Sequence, residues 1–425
     1  MSLEDSASSD PITAYAVGTT LTLLPHMNLA TPYARWYGWR EDKEKPESAK
    51  NVEYHPSNYT PPAAENKSEQ LSVQVLKVIH VIGGEFSHES LRLVCKVLKA
   101  PSTELDNGER LREENIVVAE VFDHMLYATL VLPFAPVLRS TYLANSEFYQ
   151  TAGVYKRLHS AGEENVKLTG PSQMAPEYHG SWVIQHLPEK NDGSITTRYV
   201  GAVLREHVEG PSIESVCYRH ERDGLFPLRK IRPHKDLDRE ISLEDRDVRL
   251  DIMKQIIHGL VVHKKYHIEH EGPEAKNYVI TLRRNGEILE KPQAVQVNFG
   301  YTYLWDLTIW AKSKHQHHQT HLNIPKLPHP IHPIELYDFD YLTDFAGWTP
   351  WHWTSGQWFR KGTSLMHKWF LRPDVFGPKQ EGPNYSLFAT LQQEEGLQDE
   401  QPATLSNTQD LGTEDSGNAC EDGGQ

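Results

Sequence analysis

"HIEHEGPEAKNYVI", residues 267–280, is the stretch on which the reading of the whole chain turns. Upstream lies the strongest helical pattern in the sequence, "SLEDRDVRLDIMKQIIHGLVVHKKY" (242–266). There Leu250, Met253, Ile256, Ile257 and Leu260 recur at helical spacing. Ser242 is placed to cap that helix, with Glu244 and Asp245 in its first turn. Downstream, "YVITLRR" (278–284) and "AVQVNFG" (294–300) flank the turn signal "RNGE", which predicts a hairpin. The loop between helix and hairpin carries His270, Glu271, Glu274 and Asn277, and Gly272 in its middle offers no side chain.

Outward from this loop, the chain before Gly210 reads as a sheet with one helix. "QLSVQVLKVIHVIGG" (70–84), "SLRLVCKVLKA" (90–100) and "IVVAEVFD" (116–123) are β-rich. "SEFYQTAGVYKRLHSA" (146–161) places Phe148, Ala152, Tyr155 and Leu158 on one helical face. "EYHGSWVIQHL" (177–187) and "RYVGAVLREHVEG" (198–210) supply two more strands. After Gly210 the chain reads as helical, including the aromatic-rich stretch 334–371. The expected fold is therefore α+β in two lobes, the first five-stranded and the second mainly helical. The expected divisions are an extension at 1–69, lobes at 70–209 and 210–388, and an acidic disordered tail at 389–425.

Composition narrows the function classes. Hydrophobic residues make up 38% of 425, enough for a sizeable core. The apolar run "ITAYAVGTTLTLLPHM" (12–27) is too short and too rich in threonine to cross a bilayer, and acidic residues precede it. Cys95, Cys217 and Cys420 lie too far apart for a metal pair or a disulfide framework, which points to a cytoplasmic or nuclear location. The net charge is −15, and residues 391–425 hold nine acidic residues and no Lys or Arg. Neither balance suits nucleic acid, since phosphate contacts need clustered basic residues. The expected partner is another protein, with no nucleic acid and no membrane.

Four short motifs in order, "VVAEVFDHMLY", "YHGSW", "HEGPEAKN" and "DFAGWTPWHW", together with "NFG" at 298–300, carry a resemblance. Over about 70–378 the chain resembles the fungal protein-kinase-like proteins, in degenerate form. The resemblance implies a bilobal kinase-like fold with its catalytic positions replaced. The strand-three lysine would be Glu120 and the helix glutamate Thr151, with Glu147 one turn earlier. The loop aspartate would be Gly272, and the metal-binding aspartate Asn298. Of the polar set, Asn277 alone is kept. Phosphoryl transfer rests on positioning and charge neutralisation, so these replacements imply a pseudokinase that acts by binding or scaffolding. No cofactor is expected, weak ATP with Mg or Mn being the one exception. Lys96, Arg205, Glu206, Val208 and Asn277 would then form the nucleotide site, with Arg205 either filling the pocket or pairing with Glu120. Two alternatives are an atypical phosphotransferase with its lysine relocated to Lys96, and a small-molecule binder reusing the cleft.

The histidines of "KHQHHQTHLNIPKLPHPIHP" (His315, His317, His318, His321, His329, His332) lack companion Cys or carboxylate ligands and read as a surface stretch suited to docking. Trp348, Trp351, Trp353, Trp358 and Trp369 read as core packing, and Asp344 as a structural anchor.

Overall fold

Thr20–Pro25 forms a strand, β1, with alternating exposed and buried residues: Leu21 and Leu23 point inward while Thr20 and Thr22 face out. The computed structural model describes residues 11–26, 69–79, 90–102, 111–127, 140–160, 167–191, 194–219, 224–270, 272–300, 302–304, 332–336, 339–350, 353 and 365–377. β1 pairs antiparallel on one side with β2 (Leu71–Ile79) and on the other with β5 (Tyr178–Asn191). It thereby closes a sheet that continues through β3 (Leu91–Lys99), β4 (Ile116–Phe122) and β6 (Ser194–Glu206). The result is a six-stranded antiparallel barrel in the order β1-β2-β3-β4-β6-β5. Closure removes the exposed sheet edges that an open five-stranded lobe would leave.

The inward residues of these strands, among them Leu23, Val73, Val75, Leu93, Cys95, Ala119, Val121, Ile184 and Leu204, fill the barrel as one apolar cluster. Burial there pushes the Cys95 thiol up to about 12. Helix α1 (Ser140–His159) lies against the outside. Phe148, Ala152, Tyr155 and Leu158, the face set by helical spacing, are all buried and pack with Phe122, Val203 and Phe299.

The kinase-like fold is overturned here. The first part is a closed six-stranded barrel rather than an open five-stranded lobe. Beyond Gly210 the described chain is not mainly helical. Among the described residues it includes four two-stranded pieces: β7 (Cys217–Arg219) with β8 (Leu225–Pro227), β9 (Lys230–Ile231) with β10 (Ile241–Ser242), β11 (Ile268–His270) with β14 (Thr302–Leu304), and β12 (Tyr278–Arg284) with β13 (Glu287–Gln296). Among the described residues, α2 (Arg246–Lys265) is the one long helix of this part. Among the described residues the aromatic-rich stretch falls into short helical pieces, Phe339–Phe345 and Leu365–Phe370 among them, and Pro350 interrupts it. So does Gly347, whose φ of 89° and 2.3 Å approach of a would-be Cβ to the Leu225 carbonyl oxygen admit only glycine.

α2 starts later than its cap signal suggests. Ser242 is held in β10, paired with Lys230, and Asp245 caps instead, its Oδ1 accepting from the Asp247 N–H at 2.9 Å. Ile252, Met253, Ile256, Ile257 and Leu260 of α2 are buried against Tyr278, Ile280 and Leu282 of β12 and against Trp348. The hairpin turns at Asn285–Gly286, both with positive φ (47° and 84°), as a two-residue connection between right-twisted strands requires. Among the described residues, no helix is long and apolar enough to cross a membrane.

Candidate functional site

The loop 267–277 is wired for structure. His270 sits 3.0 Å from His263 of α2 (Nε2 to Nδ1). Its Nδ1 receives Gln296 Nε2 at 3.2 Å and Thr302 Oγ1 at 2.9 Å. Gln296 Nε2 also reaches the Asn298 carbonyl, which fixes it as the amide nitrogen. His270 Nε2 therefore carries the proton and donates to His263. Both rings are buried. Burial holds His263 down to about 3, and burial, with His263 and Lys264 nearby, keeps His270 well below its ordinary value.

Asn277 and Asn298 use their amides on one another: Asn298 Nδ2 donates to Asn277 Oδ1 at 3.0 Å, and Asn298 Oδ1 accepts from the Gly300 N–H. Asn277 Nδ2 donates to Glu274. The hollow between them encloses about 10 Å³, room for roughly one water. Gly272 has a φ of 142° with nothing within 4 Å of a would-be Cβ, so backbone geometry rather than space disfavours an aspartate there. Asp344, the expected anchor, accepts from the Ala275 N–H at 2.5 Å and from Arg219 at 2.9 Å.

The buried neutral histidines give a pH prediction. His258, pushed down to about 4 by burial, joins His263 and His270 in having a folded value below its unfolded one. Their contribution is fully present above about pH 6.5 and is lost as pH falls, because the unfolded chain then takes up protons that the native state refuses. The carboxylates with lowered values, Glu206, Asp236 and Asp374, enter only as pH falls through the ordinary carboxylate range. Between pH 6.5 and 5 the slope therefore belongs to the histidines, at up to about 1.4 kcal/mol per pH unit for each. Chemical denaturation at pH 7, 6 and 5 should show falling stability and a shallower fall in His258→Gln. Equal stability at all three would contradict the assignment.

The remaining sequence-predicted residues scatter. Lys96 lies on the outer face of β3 in a 2.6 Å ion pair with Glu114. Thr151 is fully buried on α1, and Glu147 accepts the Tyr127 hydroxyl at 2.8 Å. Val208 packs with Val279 and Val295. Glu120 and Arg205 do approach, with Nε to Oε2 at 4.0 Å, too far for a hydrogen bond. The histidines from 315 to 329, Trp351 and Trp358 lie outside the described residues, while His332 and Trp348 are buried.

Glu206 belongs to a different site. A cleft of about 510 Å³ opens between the start of β4, the end of β6 and the β12–β13 turn. Leu111, Asn115 and Ile116 line it from the start of β4, His179 and His207 from β5 and the end of β6, and Arg283, Asn285 and Gly286 from the β12–β13 turn. Its floor is fixed by Arg284, which is 1% exposed and grips Glu206 with both arms: Nε to Oε1 at 2.9 Å and Nη2 to Oε2 at 2.8 Å. The same guanidinium donates to the carbonyls of Gln173 and Gly170 and to Gln293 Oε1. Burial raises the Glu206 carboxyl, but the Arg284 hydrogen bonds and charge outweigh it and hold it below the usual range.

The rim is also internally paired. Glu209 accepts from Arg283 and from His234 Nδ1, each at 3.2 Å, and Arg283 reaches Asp236 at 2.6 Å. His234 is oriented by Leu282, whose N–H donates to its Nε2. Burial lowers His207, with Glu209 opposing and Arg205 and Lys77 adding, so it is neutral at pH 7. The charged groups thus answer one another, leaving neutral imidazole, side-chain amides and the partly exposed Ile116 facing the space. Among the described residues, no Ser, Thr or Cys lines the cleft. Among the described residues, no group of three His, Cys, Asp or Glu is arranged to hold a metal. Sequence reasoning missed His179, His207 and the pair Arg283–Arg284; the signal at hand was two arginines immediately before an Asn-Gly turn. No protein-family model matches the chain, and no curated protein matches its sequence.

Proposed function

We propose that the protein is a non-catalytic binding module, and that the cleft at the barrel rim receives an extended peptide segment of another protein. The observation carrying this reading is the lining of the 510 Å³ cleft, whose charged residues Glu206, Glu209 and Arg283 are already paired, Glu206 with Arg284 and Glu209 with Arg283. What remains to meet a ligand is mainly hydrogen-bonding and uncharged: His207, Asn115 and Asn285, beside the apolar Leu111 and Ile116. Amide and imidazole groups recognise peptide N–H and C=O groups without a charge on the ligand. The scattered cysteines support placing this activity in the cytoplasm or nucleus.

A second reading keeps the site and changes the ligand. The volume falls within the roughly 300–1,000 Å³ typical of small-molecule pockets. Selecting a displayed peptide library on the full chain separates the two. Peptides should be recovered whose affinity drops at least about tenfold, or about 1.4 kcal/mol, in both Ile116→Glu and His207→Leu. Tyr218→Ser, at a surface residue that does not line the cleft, should leave affinity unchanged. Recovery of no peptide, or of peptides indifferent to both cleft variants, would contradict the peptide reading; a small molecule retained through purification and lost in His207→Leu would favour the second.

A further inference from the structure

The outer face of the barrel holds a second cluster, unrelated to the cleft's paired charges. In the registered strands, Arg92 of β3 stands opposite Glu120 of β4, and Arg205 of β6 stands opposite Val118 of β4. Lys77 and Lys96 lie on the same strand faces, each in register with or two residues from Val94. Arg92 is 9% exposed, Arg205 3% and Glu120 0%. Two buried guanidiniums therefore share one buried carboxylate.

The sharing is poor. Arg92 Nε is 3.6 Å from Glu120 Oε1 and Arg205 Nε is 4.0 Å from Oε2. Glu120 Oε1 is already taken by the Ser90 hydroxyl at 2.6 Å. Neither Nε has a hydrogen-bond acceptor, and Glu120 Oε2 has no donor. The buried guanidinium nitrogens left without a partner are thus the two Nε atoms, and Arg205 Nη1 reaches the Glu206 carbonyl only at 3.5 Å. Arg284 shows the contrast within the same protein: it is equally buried, but its Nε and both Nη groups are directed at acceptors.

Helix α1 adds more unanswered polar atoms. The Tyr155 hydroxyl, Thr151 Oγ1 and Gln150 Oε1 are buried without partners. Unanswered buried donors are rare in folded proteins, and a surplus buried cation is costlier still.

We infer that Arg92 and Arg205, beside Glu120, bind a small oxyanion, a carboxylate or phosphate-type group, whose oxygens accept from the two guanidiniums. An oxyanion matches the guanidinium fork and supplies the negative charge that one carboxylate lacks. Glu120 lowers affinity and sets the surplus at a single charge, so the site favours a singly charged group.

The test measures thermal midpoints of the full chain in phosphate, sulfate, acetate and chloride at matched ionic strength. Expected is a saturable rise with at least one oxyanion, equivalent to a dissociation constant below about 10 mM, and none with chloride. Acetate acting alone identifies a carboxylate site, and phosphate or sulfate a phosphate-type site. The rise should vanish in Arg205→Met and weaken at least about tenfold in Arg92→Met, while Glu120→Gln should bind at least about tenfold more tightly. That reversal of sign is what a purely structural triad would not produce. If Arg205→Met fails to fold, wild type against Arg92→Met and Glu120→Gln decides the matter. Equal midpoints in oxyanion and chloride for wild type, or binding indifferent to all the variants that fold, would overturn the inference.

Discussion

Gly210→Ala is expected to destabilise the native state by about 3–5 kcal/mol, combining φ strain with a steric clash. Gly210 follows the end of β6, where the chain leaves the barrel, and has a φ of 140°. An added Cβ would sit 2.2 Å from the Ile280 carbonyl oxygen and 3.1 Å from Val279 Cγ1. The close approach exists because the segment runs against β12: the Ile280 N–H donates to the Pro211 carbonyl and the Ile213 N–H to that of Tyr278. Relief would require breaking these bonds beside the buried Val208–Val279–Val295 cluster. Urea denaturation measures the loss directly. A change under about 1 kcal/mol would mean that the chain leaves β6 by another route.

Arg284→Met should cost a comparable amount, about 3–5 kcal/mol, because it strands Glu206 as an uncompensated buried charge. Glu206 Oε2 would keep the Glu177 N–H at 3.0 Å. The carbonyls of Gly170 and Gln173 would lose a donor. The double variant Arg284→Met with Glu206→Gln removes the stranded charge and should recover at least about half of the loss, since neutral replacement of a buried pair is tolerated far better than its halving. Strict additivity of the two single losses would show that the pair does not act as a unit. Peptide binding at the cleft should fall with Arg284→Met as well, because the pair fixes the floor between β6 and β12.

Much of the local structure was legible in the sequence, for physical reasons that differ by element. The apolar face of α1 follows from helical spacing, and the β12–β13 turn from Asn285–Gly286. What escaped was non-local. β1 is six residues long and separated from β2 by a long intervening segment, and its alternation Thr-Leu-Thr-Leu lay within a stretch read as an extension. Closure of the barrel depends on β1 pairing with β2 and β5 together, a fact no window of sequence contains.

The motifs that suggested a kinase-like fold have local causes of their own. In "YHGSW", Gly180 takes a φ of 97° and Trp182 Nε1 donates to the His179 carbonyl at 2.9 Å, pinning the irregularity in the β5–β6 pairing between Tyr178 and Ser181. In "DFAGW", Asp344 ties down the backbone of Ala275 while Trp348 fills the core beside α2. Such pieces recur wherever a turn must be pinned, and their order along the chain does not fix how strands pair. The cleft was illegible for a related reason: Arg284 meets Glu206 across 78 positions, and neither residue's type marks the other.

Hydrogen–deuterium exchange of the full chain with and without a selected peptide tests the binding account most directly. The account predicts slowed exchange at three separated segments at once, around 111–117, 206–209 and 283–286, with the outer face of β2 and β3 unchanged. Protection confined elsewhere, or spread evenly over the barrel, would contradict the placement of the binding site at this cleft.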